Sequence, residues 1–317
     1  MLTTVLAIAP IFAIIALGYG LRRGGIPSFD FWNLNDKLVY WVLMPSLLFH
    51  KMSTAAFDAS LVGDYAAVIL GSFALAARLG LLGPKLFNFS RPVASSVLQG
   101  AARHNTFIAL AVSERLFGAE GLALAALGAA MLIPTTNVVI VALMVGLTSE
   151  AKGARIASAI LRDLARNPLL IAVALGVAWN LSQDGAGAPV IDDVTRILGA
   201  AALPIMLMCV GANLRVRAMA LSIGPMALAS VFKLIAFPIG VIVLSRVIGL
   251  SETQMMVALI FSAAPTASSA YTLARQMGGD APLMAAIVTV QTGIAFLTLP
   301  ATLALVDRFE PAIFGAN

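Results

Sequence analysis

The chain has 317 residues, of which 60% are hydrophobic and only 11% are charged, and its mean hydropathy is +0.97. So few polar residues cannot cover a soluble globule, and the composition therefore predicts an all-α polytopic membrane protein. The net charge of +5 does not indicate nucleic-acid binding, because the basic residues are scattered singly between apolar runs.

Apolar segments of membrane-spanning length follow one another along the chain, and about ten are expected when each span takes about twenty residues. The first, Leu2 to Leu21, is followed by Arg22 and Arg23 and has no basic stretch before it, which favours a retained helix over a cleaved signal peptide. The other segments are approximately 38–52, 62–82, 93–117, 121–147, 168–181, 197–214, 219–248, 255–277 and 283–306.

The most polar connection, residues 151–167, separates a first half (1–150) from a second half (168–317), each with five predicted spans. Because an odd number of spans reverses the direction of the chain, the halves are expected to have opposite orientations. A repeated Arg-x-x-Gly-x-acidic pattern, at an offset of 160 residues, supports an internal repeat. The matched positions are Arg115, Gly118 and Glu120 in the first half and Arg275, Gly278 and Asp280 in the second.

The distribution of basic residues predicts the topology. With the N-terminus outside, twelve basic residues fall at inside ends of spans and five at outside ends. Positive residues concentrate on the cytoplasmic side, so both termini are expected outside, which is periplasmic for a bacterial inner membrane. Arg78, Arg103 and Lys233 remain within spans. Arg78 is interpreted as snorkelling to the interface, whereas Lys233 is left open between snorkelling and a substrate or coupling role.

The ninth segment is interrupted by Pro265, which removes a backbone donor and leaves carbonyls near Phe261 without partners. Thr266, Ser268 and Ser269 carry hydroxyls that can satisfy the freed groups. In lipid such a break persists where it is buried or faces a water-filled cavity, and this is typical of a transporter's binding site. A simple proline kink is the alternative.

The fourth segment carries Arg103, His104, Asn105 and Thr106 at its centre. The planar fork of Arg103 suits a carboxylate, and Asn105 and Thr106 offer an amide and a hydroxyl. His104 either titrates near neutral pH and couples transport to protons or packs as a neutral ring. If the fourth and ninth spans cross here, the positive ends of their half-helices would favour an anion.

Further polar residues within spans are candidates for the same cavity. Asn137 and Gln291, with neighbouring threonines, either line it or form interhelical hydrogen bonds. The carboxylates Asp64, Glu114 and Glu120 lie near span ends and form no cage for sodium, although carbonyls, hydroxyls and amides remain able to do so. Zinc spacing, a serine–histidine–acid order and a phosphate loop do not stand out. We therefore expect no enzyme, metal or cofactor, and leave sodium or proton coupling open.

Several stretches together resemble the auxin efflux carrier family over nearly the whole chain. They are Leu43 to Phe49, Asn105 to Ile108, Leu116 to Ala123, Ala264-Pro265, Leu273 to Arg275 and Gly278 to Asp280. Two departures from the plant exporters are evident. The chain lacks their long central cytoplasmic loop, and Asn105 stands in the fourth segment where a proline would pair with Pro265.

The resemblance implies two inverted five-helix repeats, as in sodium–bile acid symporters, with broken helices four and nine that cross. Helices one, two, six and seven would form a scaffold, and helices three to five and eight to ten a moving transport domain. It also implies a homodimer, elevator-like motion and organic anions such as auxin, malate or malonate.

The expected function is secondary transport of a small carboxylate by alternating access. Its expected contacts are Arg103, Asn105 and Thr106 from one broken helix and Pro265, Thr266, Ser268 and Ser269 from the other. A membrane sensor that binds the ligand without transport, with residues 148–167 as its contact surface, is the alternative. A channel is disfavoured, because a closed midplane site suits alternating access better than a continuous pore.

Overall fold

The computed structural model describes residues 2–54, 59–148, 162, 165–182, 189–215 and 223–309. Within these ranges every regular element is helical, which confirms the predicted all-α class. The α-helices are α1 (Leu2–Arg23), α2 (Phe29–Leu38), α3 (Met44–Thr54), α4 (Ala59–Leu86), α5 (Arg91–Ala102), α6 (Thr106–Thr148), α7 (Pro168–Ser182), α8 (Pro189–Ala212), α9 (Ile223–Val231), α10 (Phe237–Ile248), α11 (Glu252–Ala263), α12 (Ser269–Gln276) and α13 (Ala281–Phe309).

Six helical stretches of the described chain are long and apolar enough to cross a membrane. They are Thr3–Arg23, Val62–Leu86, Arg91–Leu147, Pro189–Ala212, Ile223–Ile248 and Ala281–Asp307. The number is below the expected ten because interruptions shorten several predicted spans and because two of them lie within Arg91–Leu147. The arrangement as ten spans in two inverted halves therefore stays a prediction.

Some predicted boundaries are wrong. The second helical stretch begins at Phe29 rather than near Leu38, and the seventh begins at Pro189 rather than near Ile197. Both extensions contain acidic residues, Asp30 and Asp192 in the first helical turns, where the partial positive charge of the helix end favours them. The connection at 151–167 lies largely outside the described residues, so the division into halves and the sensor surface stay predictions.

Two π-helical turns each end just before a proline. Val39–Leu43 joins α2 to α3 ahead of Pro45, and Phe232–Ala236 joins α9 to α10 ahead of Pro238. A proline ring clashes with the carbonyl four residues earlier and offers no donor. The wider π turn accommodates both effects without ending the helix, so these prolines do not interrupt the chain as Pro265 does.

Both glycines of the repeated motif have positive φ, 58° at Gly118 and 71° at Gly278. Glycine adopts such a backbone without the steric cost of a Cβ. Gly118 divides α6 at a kink, so that Thr106 to Phe117 forms the second part of the predicted fourth span. Gly278 follows α12, and the next motif residue, Asp280, caps α13 by accepting a hydrogen bond from the Leu283 N–H at 2.9 Å.

Close helix packing surrounds the interrupted segments. Helix α1 packs antiparallel to α8, while α3 packs against α7 and α8. On the other side, α4 packs against α5 and α10, and α6 packs against α11. The four interrupted elements α5, α6, α11 and α12 thus lie among neighbouring helices, where backbone groups freed by a break can find partners.

Candidate functional site

The candidate site is the place where two interrupted helices touch. Helix α5 ends at Ala102 and α6 begins at Thr106, while α11 ends at Ala263 and α12 begins at Ser269. The backbone N–H of Asn105 donates to the carbonyl of Pro265 at 2.7 Å. The hydroxyl of Thr266 lies 2.9 Å from the carbonyl oxygen of Gly100 and 2.7 Å from the Oε1 of Gln291, and its single proton is shared between these two acceptors. Each break therefore satisfies backbone groups of the other.

Asn105 also explains why a chain without a proline can break in the fourth span. Its side-chain Oδ1 accepts from the N–H groups of Phe107 at 3.1 Å and Ile108 at 3.2 Å. Asparagine is among the strongest N-capping residues, because its short side chain replaces the missing intrahelical acceptors. The amide expected to contact an anion is therefore partly used as a helix cap.

Arg103 lies at the end of α5 with only 9% of its surface exposed. Its Nη2 donates to the Ser269 Oγ at 3.3 Å, which joins the first broken segment to the start of α12. The Nε and Nη1 groups have no hydrogen-bond partner within the described residues. Both atoms are buried, and a buried guanidinium with unpartnered donors is costly unless it meets an acceptor.

A cavity of about 930 Å³ opens beside this crossing. Seven of the predicted site residues line it, from both broken segments and from α6: Arg103, His104, Asn105, Thr106, Asn137, Ser268 and Ser269. Pro265 and Thr266 do not line it and instead lie buried in the crossing itself. The hydroxyl and the N–H of Thr266 are both used within the protein, and its contact with the ligand stays a prediction.

The cavity is more basic than the sequence analysis anticipated. Besides Arg103 it is lined by Lys37, Arg215 and Arg275, and among the described residues Asp36 is the one carboxylate that lines it. The three additional cations follow or precede apolar segments, where positive residues act as topology signals, and Arg275 is also part of the repeated motif. The guanidinium of Arg215 lies 4.1 Å from the centre of the Tyr271 ring, an attractive cation–π contact.

Lys233 lies behind the crossing rather than in the cavity. Its side chain is fully buried, so the snorkelling alternative is wrong. The ammonium donates to the Phe261 carbonyl at 3.3 Å and lies 4.4 Å from the centre of the Phe237 ring. The Phe261 carbonyl is the acceptor that a residue at position 265 would use in a continuous helix, and proline leaves it free. Lys233 thus satisfies a carbonyl that the sequence analysis assigned to nearby hydroxyls.

Gln291 does not line the cavity, although the sequence analysis offered it as a lining candidate. It lies on α13, fully buried, and contacts both breaks. Asn137 is half-buried and does line the cavity. Within the described residues, no group of three histidine, cysteine, aspartate or glutamate side chains is placed to hold a metal ion.

A multi-pass helical protein with a polar cavity where two interrupted helices meet has the architecture typical of membrane transporters. The chain belongs to the family described as "Membrane transport protein", which matches residues 3–303, and this is the auxin efflux carrier family that the sequence resembles. It is similar to an uncharacterized transporter of Methanothermobacter thermautotrophicus, with 23% identity over 92% of this chain and 94% of the relative. A second uncharacterized transporter, of Methanocaldococcus jannaschii, is 23% identical over 91% of this chain and 94% of its own length.

Proposed function

We propose that this membrane transport protein is a secondary active transporter of a small carboxylate. The observation that carries the proposal is the Arg103 guanidinium, nine-tenths buried at the crossing, with two donor groups unpartnered among the described residues. Its planar fork matches the two oxygens of a carboxylate, and such charge-assisted hydrogen bonds are stronger than neutral ones.

Two further features of the cavity favour an anion. The N-terminal ends of α6 and α12 both reach it, through Thr106 and Ser269, and helix N-termini carry partial positive charge. Of the residues that the structure describes, four cationic side chains and one carboxylate line it, so the charge they contribute is positive. Both features would also attract inorganic anions.

Alternating access by an elevator-like motion is the mechanism that we propose for this fold. The packing of α1 and α3 against α7 and α8 is compatible with one rigid body, and the packing of α4 to α6 and α9 to α13 with another. Three basic lining residues, Lys37, Arg215 and Arg275, come from predicted inside ends, so we assign the cavity to the cytoplasmic side. A homodimer in a bacterial inner membrane, with both termini outside, is part of the same proposal.

Transport in proteoliposomes tests this function. We expect labelled acetate, malonate, malate or indole-3-acetate to accumulate in vesicles that contain the protein when a pH or sodium gradient is imposed. Empty vesicles and vesicles containing the Arg103→Gln variant serve as controls. Failure of all four anions to move faster than in empty vesicles, under any gradient and in either direction, would contradict the carboxylate assignment.

Coupling to protons is assigned to His104. Its ring lines the cavity, its Nδ1 has no partner among the described residues, and it contacts the Phe261 ring edge-on with 5.5 Å between centres. Histidine is the side chain that ordinarily titrates near neutral pH. We expect His104→Gln to retain counterflow of the anion but to lose acceleration by a pH gradient. Equal acceleration in wild type and variant would remove His104 from coupling.

A further inference from the structure

Gln291 connects the two helix breaks from a third helix. Its Oε1 accepts from the N–H of Thr266 at 3.0 Å, and it lies 2.7 Å from the Thr266 hydroxyl, whose proton it shares with the Gly100 carbonyl. Its Nε2 donates to the carbonyl of Gly100 at 3.0 Å. The side chain is fully buried in α13 and does not reach the cavity. One amide thus serves a segment before the first break and a segment within the second.

The groups that Gln291 satisfies are free because the helices are broken. In a continuous helix the Gly100 carbonyl would accept from the N–H of residue 104, but α5 ends at Ala102. The Thr266 N–H would donate to the carbonyl of residue 262, but α11 ends at Ala263. Neither group can reach water at this depth, and a buried backbone group without a partner destabilises the fold.

We infer that Gln291 is a positioning residue that sets the geometry of the anion site without touching the anion. Gly100 lies three residues before Arg103, and Thr266 lies three residues before Ser269, which accepts from the Arg103 guanidinium at 3.3 Å. By joining these two segments, Gln291 holds the guanidinium against the N-terminal end of α12. The inference rests on the proposed function, because its consequence is measured as anion affinity.

Glutamine fits this role better than other side chains of similar size. The Thr266 N–H donates to Oε1, and the Gly100 carbonyl accepts from Nε2, so the orientation of the amide is defined by its partners. Methionine has a similar volume but provides neither the acceptor nor the donor. Glutamate keeps the acceptor for Thr266, but its ionised form turns a second oxygen toward the Gly100 carbonyl.

The first test compares Gln291→Met with Thr292→Val. Thr292 is the next residue of α13, is also buried, and within the described part of the chain donates to the carbonyl of Val288 in its own helix. With malonate as the probe, we expect Gln291→Met to weaken binding by about tenfold or more while transport at saturating malonate stays within about threefold of wild type. Thr292→Val is expected to match wild type in both. Unchanged malonate affinity in folded Gln291→Met would overturn the inference.

The second test uses Gln291→Glu, in which protonation restores the missing donor. We expect its malonate affinity, relative to wild type at the same pH, to recover as the pH falls from about 8 to about 5, because a buried carboxyl binds its proton more readily than an exposed one. A merely structural defect would produce a deficit that does not vary with pH. A ratio to wild type that stays constant over this range would contradict the positioning role.

Hydrogen–deuterium exchange separates failure of the inference from failure of the proposed function. The Thr266 N–H donates to Gln291. The peptide that contains Thr266 should therefore exchange faster in Gln291→Met than in wild type or Thr292→Val, with no anion present. If wild type binds no anion but this exchange difference appears, the carboxylate assignment fails and the connection between the breaks stands. If the exchange is identical in all three proteins, the connection itself is refuted.

Discussion

Replacing Gly211 with alanine is expected to lower the Tm by about 5–10 °C. A Cβ at this position would overlap the carbonyl oxygen of Ile15 on α1, and a Cβ at Gly18 would overlap the carbonyl oxygen of Met208 on α8. Neither obstacle is a flexible side chain, so the two helices must separate, and overpacking of this kind costs about 3 kcal/mol. The measurement is thermal unfolding of the purified protein in detergent, followed by scattering or fluorescence.

Gly20→Ala is the matched control for this contact. Gly20 lies on the same helix as Gly18, but a Cβ at Gly20 would meet no atom within 4 Å. Alanine is favoured over glycine in a helix by about 0.5–1 kcal/mol, so this variant should be as stable as wild type or slightly more stable. Equal Tm values for Gly211→Ala and Gly20→Ala would show that α1 and α8 do not pack through backbone contact at these glycines.

The reciprocal glycine contact illustrates what sequence patterns leave undetermined. Gly18 and Gly211 stand in apolar segments that read as ordinary spans, and small residues are common throughout the chain. Small residues permit close approach of membrane helices, but they do not show which helix approaches. The pairing of Gly18 with Met208 and of Ile15 with Gly211 follows from the tertiary arrangement, which the spacing of apolar residues does not contain.

The two helix breaks differ in how far they could be anticipated. Pro265 predicts a break directly, because a missing donor is visible in the residue type. The break after Ala102 depends on Asn105, whose capping hydrogen bonds stabilise a helix start but do not require one. The sequence therefore indicates the position of the second break more sharply than that of the first.

The residues that satisfy the broken backbone were harder to predict than those that face the cavity. Arg103 stands out because a guanidinium within an apolar run is expensive. Lys233 satisfies the carbonyl of Phe261, which lies 28 residues further along the chain. Gln291 satisfies the carbonyl of Gly100, which lies 191 residues earlier. Only the fold brings them together, and the nearby hydroxyls were for that reason the more obvious partners.

Three cations of the cavity could not be recognised as lining residues from the sequence, because a positive residue at the inside end of a span also serves as a topology signal. Lys37, Arg215 and Arg275 lie at predicted inside ends, where positive residues orient a membrane protein whatever else they do. In the orientation that we propose, the cavity opens toward the cytoplasmic side and is lined by the same residues. Charge counts alone do not distinguish a topology signal from a ligand contact. Substitution of single residues does, because the topology depends on all the positive residues together, whereas a ligand contact depends on one side chain.

Arg103→Gln is expected to abolish the stabilisation of the protein by carboxylates. Ligands that bind only the folded state raise its apparent Tm, so a panel of acetate, malonate, malate and indole-3-acetate reports binding without transport. Losing charge-assisted hydrogen bonds from a buried guanidinium should weaken binding by about 100-fold. Arg103→Lys keeps the charge but not the planar fork, and we expect an intermediate loss of about tenfold.

The ligand-free variants decide whether such a loss is specific. Two donors of Arg103 have no partner among the described residues, so the charge is costly to bury and its removal should leave the ligand-free Tm unchanged or raise it. Arg78→Gln is the control, because Arg78 is exposed on α4 and does not line the cavity. If carboxylates still stabilise Arg103→Gln, the anion is bound by Arg215 or Arg275 instead. A lower ligand-free Tm would instead mean that the guanidinium mainly holds Ser269 and the start of α12.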